Sequence, residues 1–161
     1  MNGKLLGAAL LITGGCICCW SWIKDKRSQI YLMREFAAAL ERMEGMIRWQ
    51  NLPMTRVLEA ENAREPCGMY FKNVLTYMNS GSTLQHAWKQ AFEPLPNDET
   101  GELMCRMNLQ GDAQQMTGAL RLTAQELRTR AAERAAQQQE RERLCVAVGG
   151  CLTAVLVIVL I

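Results

Sequence analysis

Leu5-Leu6-Gly7-Ala8-Ala9-Leu10-Leu11-Ile12-Thr13-Gly14-Gly15-Cys16-Ile17-Cys18-Cys19-Trp20-Ser21-Trp22-Ile23 is a run of 19 residues without a charge. A second uncharged run, Leu144 to Ile161, covers 18 residues at the other end of the sequence. Each is about 27–28 Å long as a helix, near the ~30 Å thickness of a bilayer's hydrocarbon core. Both runs are therefore expected to be transmembrane helices, at 5–23 and 144–161. The segment between them, 24–143, has 120 residues, enough for one compact domain. It holds 17 of the 18 basic residues and all 16 acidic ones, so the domain is nearly neutral. Interspersed charge of that kind gives no basis for nucleic-acid binding.

Basic residues near the spans set the orientation. Lys24, Lys26, Arg27, Arg34 and Arg42 follow the first run, and Arg128, Arg130, Arg134, Arg141 and Arg143 precede the second. Only Lys4 lies on the other side. The excess predicts a two-pass membrane protein with its domain in the cytoplasm and both short ends outside. An exported lipoprotein is the rival reading, since Lys4 and Leu11-Ile12-Thr13-Gly14-Gly15-Cys16 hint at a processed leader. Thr13 stands where such sites prefer a branched apolar residue, and the apolar run continues past Cys16. Five of the seven cysteines lie in or at the edge of the runs, which leaves Cys67 and Cys105 to be read as free thiols of a reducing compartment, with a disulfide between them as the alternative.

Between the runs apolar residues recur with the helical period, and no stretch alternates like a strand. The expected fold is all-α, a six-helix antiparallel bundle over 24–127 flanked by the N- and C-terminal transmembrane helices. A polar helical stalk, 128–143, links the bundle to the second span. Met33, Phe36, Ala37, Leu40, Met43 and Ile47 mark one face of a first helix over 28–50. Pro53 opens a second helix reaching about Arg64, and a third follows Pro66 to Asn79. Asn79-Ser80-Gly81 is a stop signal, and Ser82 with Gln85 reads as a capping box for a fourth helix on Leu84, Ala87, Trp88 and Ala91. A fifth helix is expected over 99–110. Gly111 closes it, and Asp112 with Gln115 caps a sixth. Ala131, Ala132 and Ala135 are the stalk positions suited to lying against the first helix; a plain solvated spacer is the other reading.

The sequence holds no catalytic constellation. There is no phosphate loop, no Gly-x-Ser-x-Gly turn, and one histidine, His86, which alone supplies no usual zinc site. No enzyme activity, metal or cofactor is expected. Glu59, Glu61 and Glu65 form one acidic group; Asp98, Glu99 and Glu102 form another, for which a favourable helix dipole is the plain reading, and a cation site or a basic-partner patch is the alternative. Cys67, following Pro66 at a helix start, is a candidate for a lowered thiol pKa, with a buried or idle thiol the favoured reading. The candidate partner-binding residues are Gly81, Ser82 and His86 around one turn, with Asp98, Glu99 and Glu102 as a second patch.

Several short motifs, taken in order, resemble one family. Lys4-Leu5-Leu6-Gly7-Ala8-Ala9-Leu10 is similar to its opening span, and Leu52-Pro53-Met54 with Val57-Leu58 to its turn into the second helix. Gly81-Ser82-Thr83-Leu84 with Ala87-Trp88 resembles a Gly-x-Ser-Leu-x-x-Ala-Trp pattern. Gly111-Asp112 resembles the turn before the last helix, and Val148-Gly149-Gly150 with Leu156 to Leu160 the closing span. The chain thus resembles the stage III sporulation protein AB family, which is related to the cytoplasmic domain of type II secretion platform proteins. The usual glycine of the first turn is replaced here by Asn51 or Gln50. The resemblance implies a platform or assembly component of a secretion-like channel complex between mother cell and forespore, located in the mother-cell membrane around the forespore. Its implied partners are other sporulation channel subunits and a secretion-type ATPase; a homo-oligomer is compatible with it. Alternatives are a platform component of another pilus or type II-like system, the exported lipoprotein, or a membrane sensor.

Overall fold

The computed structural model describes the backbone of residues 27–95 and 98–160, and the side chains of 27–95 and 99–140. The described residues form six α-helices and no strand: α1 (27–50), α2 (Met54–Glu61), α3 (Gly68–Asn79), α4 (Leu84–Phe92), α5 (Asp98–Arg106) and α6 (Ala113–Leu160). The expected span at 5–23 lies outside the described residues. The side chains of the expected span at 144–161 lie outside them too. Among the described residues no helix is long and apolar enough to cross a membrane.

One aromatic core holds the helices. Phe36 of α1 meets Tyr70 and Phe71 of α3 and Phe92 of α4 edge-on, at centroid distances of 5.5, 6.3 and 5.7 Å. Edge-to-face contact aligns the positive rim of one ring with the negative face of the next. Met33, Phe36, Ala37, Leu40, Met43 and Ile47, the face read from the sequence, are all buried. Consecutive helices from α2 to α6 pack against their neighbours in chain order. Gly68 permits the tightest approach: a Cβ there would stand 2.3 Å from the Asn62 carbonyl oxygen, so α3 can begin this close to the end of α2 only without a side chain.

The turns follow their residues. Asn51 has φ +50°, in the left-handed region that favours glycine, and asparagine is among the few other residues that tolerate it. Gly81 has φ +96° and closes α3 in a Schellman arrangement: its N–H donates to Met78 O at 3.0 Å, and Ser82 N–H to Tyr77 O at 3.1 Å. Asp112 Oδ1 accepts from Gln115 N–H at 2.8 Å and caps α6 as expected.

Three local expectations are corrected. Helix α2 ends at Glu61 rather than Arg64, because the chain turns over 62–67 to bring Gly68 against Asn62. Ser82 and Gln85 form no capping box: the N-cap of α4 is Thr83, with no side-chain cap bond. Helix α5 stops at Arg106, and 107–110 runs without helical structure, Met107 and Leu109 buried and Asn108 and Gln110 exposed. That alternation needs hydrogen-bond partners for buried backbone. Gln85 supplies them, donating Nε2 to Met107 O at 3.0 Å and accepting from Leu109 N–H at 2.7 Å.

Packing continues past residue 127. Ala131 is buried with Ile30 and Met33, and Ala135 packs on the same cluster, while Ala132 is exposed. Arg128 pairs with Glu41. As α6 advances its partners on α1 recede, so the two helices are antiparallel. Helix α6 has 48 residues, about 72 Å of unbroken rod.

Candidate functional site

The two candidate patches fare differently. Gly81 and Ser82 are occupied in closing α3, and His86 is exposed on the first turns of α4. On α5 the side chain of Asp98 lies outside the described residues. Glu99 turns inward, away from the exposed patch read from the sequence. Its carboxylate accepts from Arg130 at 2.6 Å and also from Arg134, and Arg130 reaches Glu126 at 2.7 Å as well. Two guanidinium groups neutralise this charge and fasten α5 to α6. Glu102 stays exposed, with a long contact of 3.6 Å to Arg106 on its own helix.

Glu102 and the start of α4 belong to one surface. A shallow groove of about 670 Å³ runs between α4 and α5, lined by Gln85, Lys89, Glu93, Glu102, Arg106 and Asn108 among others. Charges of both signs line it, which suits a polar protein surface. A second cleft of about 470 Å³ lies where α1 ends and α6 begins, between Glu44, Arg48 and Asn51 on one side and Thr117, Gly118 and Arg121 on the other.

The acidic group of Glu59, Glu61 and Glu65 divides. Glu59 is exposed and pairs with Arg56, and Glu65 is exposed. Glu61 is 1% exposed and takes three hydrogen bonds from Arg42, of 3.0 and 3.2 Å from Nε and 2.8 Å from Nη2. This hydrogen bonding raises the Arg42 pKa still further. The sequence carried a signal for it: Val57, Leu58 and Glu61 fall on one helix face, so that Glu61 had to be buried with a cation or face solvent alone.

Cys67 sits beside this corner and is a buried free thiol. Burial pushes it up to about 12, the reverse of the activated thiol that its place after Pro66 suggested. Below pH 9 folded and unfolded chains both keep the proton, and stability is full. Between pH 9 and about 12 the unfolded chain ionises first, so stability falls by about 1.4 kcal/mol per pH unit. Denaturant unfolding at pH 8 and pH 11 should show this loss in the wild type and a smaller one in Cys67→Ala. Equal pH slopes for the two proteins would assign the alkaline loss to other groups, Tyr70 first, since burial raises it too.

Among the described residues no group of His, Cys, Asp and Glu is placed to hold a metal ion. What the residues build instead is a helical scaffold: an aromatic core, α1 and α5 tied by ion pairs to one long rod, and polar grooves along its sides. The chain belongs to the stage III sporulation protein AB family, whose family model matches residues 4–161. No curated protein and no solved structure matches it. Family membership agrees with the motifs around Leu52-Pro53, Gly81 to Trp88 and Gly111-Asp112.

Proposed function

We propose that this protein is a non-enzymatic assembly platform for spore formation. Its helical body would be moored to the mother-cell membrane around the forespore by the runs 5–23 and 144–161, and would face the cytoplasm. There it would dock other subunits of a secretion-like channel complex and a motor ATPase. The observation that carries this reading is the antiparallel packing of α1 on α6 through Ile30, Met33, Ala131 and Ala135. It brings residue 27 and residue 140 to the same end of the body, the arrangement that mooring by both apolar runs would need. Family membership supports the link to sporulation. For the ATPase the favoured face is the α4–α5 groove with Glu93, Glu102 and neighbouring His86, because Glu99 is spent on Arg130 and Arg134.

The test uses sporulating cells. The protein should sediment with membranes, give a mother-cell signal around the forespore, and resist protease added to intact protoplasts until they are lysed. Digestion in intact protoplasts would overturn the cytoplasmic body and favour the exported form. In the same cells, Glu93→Lys with Glu102→Lys should reduce capture of the motor ATPase while leaving the thermal unfolding midpoint unchanged. Full capture by that variant would remove the groove from the docking surface.

A further inference from the structure

Helix α6 presents two faces of different character. Leu120, Ala124, Leu127 and Ala131 are buried in the body. On another side Leu122, Gln125, Thr129, Ala132, Ala136 and Gln139 are all exposed, Leu122 to 65%. Their spacing of three and four residues in alternation is that of the apolar seam of a heptad repeat. Residues 121–140 carry seven charges, Arg121, Glu126, Arg128, Arg130, Glu133, Arg134 and Glu140, and none falls on this seam. A helix face bathed only in water has no need to keep a strip uncharged over 18 residues.

Over 121–133 the flanks of the seam are charged and sorted by sign. Arg121 and Arg128 precede Leu122 and Thr129 on one edge; Glu126, Glu133 and Glu140 follow Gln125, Ala132 and Gln139 on the other. In a parallel two-stranded pair, each edge faces the opposite edge of its partner five residues further on. Arg121 then meets Glu126 of the second copy, and Arg128 meets Glu133, each pair twice by symmetry. An antiparallel pair sets equivalent edges together, arginine against arginine and glutamate against glutamate. Within the chain Arg128 is engaged by Glu41 and Glu126 by Arg130, while among the described residues Arg121 and Glu133 have no ion-pair partner.

We propose that a second copy of this chain docks along this seam, parallel and in register, so that two α6 rods pair side by side. The proposal rests on the membrane reading above in one respect. The centre of the seam is Thr129, Ala132 and Ala136, small side chains that bury little area, so the pair is weak in free solution. Two copies held in one bilayer with the same orientation meet at a high effective concentration, which offsets that weakness.

The test is photo-cross-linking of the full-length chain in membranes from sporulating cells. A benzophenone side chain at Leu122, Thr129 or Ala136 should yield a product of twice 18.1 kDa. The yield should exceed by about tenfold that from exposed Gln137, off the seam, and Ala132→Glu with Ala136→Glu should lower it by about the same factor through repulsion of buried like charges. Peptide mapping should place each cross-link within a turn of the same residue number in the second copy. No doubled product from the seam, equal yield from Gln137, capture of a different protein, or links from Leu122 to the region of Gln139 would each overturn the proposal. Chain that is in the membrane pellet but never cross-linked sinks the pairing alone; chain absent from the pellet sinks the mooring with it.

Discussion

Trp88→Ala should cost about 4 kcal/mol of stability, the upper part of the range for removing a fully buried large ring. Trp88 is 0% exposed and lies 4.6 Å from Phe92 and 6.0 Å from Phe71, centroid to centroid. Its Nε1–H donates to Met104 O at 2.9 Å. Met104 is in the last turn of α5, where backbone carbonyls have no partner within their own helix. Alanine therefore opens a cavity in the aromatic core and orphans a buried carbonyl together. Trp88→Phe separates the two effects, since it keeps most of the ring volume and loses only the donor; about 1–2 kcal/mol is expected. Denaturant midpoints of the purified proteins measure both. A loss below 1 kcal/mol for Trp88→Ala would mean that the core closes over the space, and that the ring does not anchor α4.

The core was legible because it is periodic. The face of α1, Ala87, Trp88 and Ala91 of α4 and the buried side of α6 at Leu120 and Leu127 all follow from 3.6-residue spacing, and the structure buries them, with Leu84 half-buried beside them. Turns were legible where a residue's backbone preference is decisive. Gly81 and Gly111 take positive φ, and Asn51 does so in place of glycine. Asp112 caps because its carboxylate can reach an N–H three residues on.

What sequence reasoning missed lies in side chains that serve distant partners. Gln85 has the spacing of a capping box with Ser82, yet an amide with both a donor and an acceptor is more valuable to the buried strand-like segment at Met107 and Leu109. Glu99 looks like a surface acid at the start of a helix. Its partners, Arg130 and Arg134, are 31 and 35 residues away, and their spacing of four on α6 was the available signal. The same two arginines explain why the expected stalk is no free spacer in its first half: α5 holds it on one side and α1 on the other. A local pattern gives helix faces; it cannot say which of several equally polar residues is turned inward, because that is decided by the helix opposite.

Arg42→Met should cost about 3 kcal/mol, more than an exposed ion pair would, because it strands the carboxylate of Glu61 in a site that is 1% exposed. Arg64 stands 3.5 Å from the same carboxylate but is itself 61% exposed, so it recovers only part of the loss. Arg42→Lys should lie between, since an ammonium cannot reproduce the forked contact of the guanidinium with both carboxylate oxygens. The double variant Arg42→Met with Glu61→Leu should be more stable than Arg42→Met alone, for an apolar pair carries no desolvated charge. Urea unfolding of the wild type, Arg42→Met, Glu61→Leu and the double variant closes the cycle. If Arg42→Met is neutral, or if the double variant is worse than both single losses added, Glu61 is not held by Arg42. The corner where α2 turns beside Cys67 and Gly68 must then be fixed by the Gly68–Asn62 approach. The pair matters beyond its energy because it fastens α2 to α1, the helix that packs along α6.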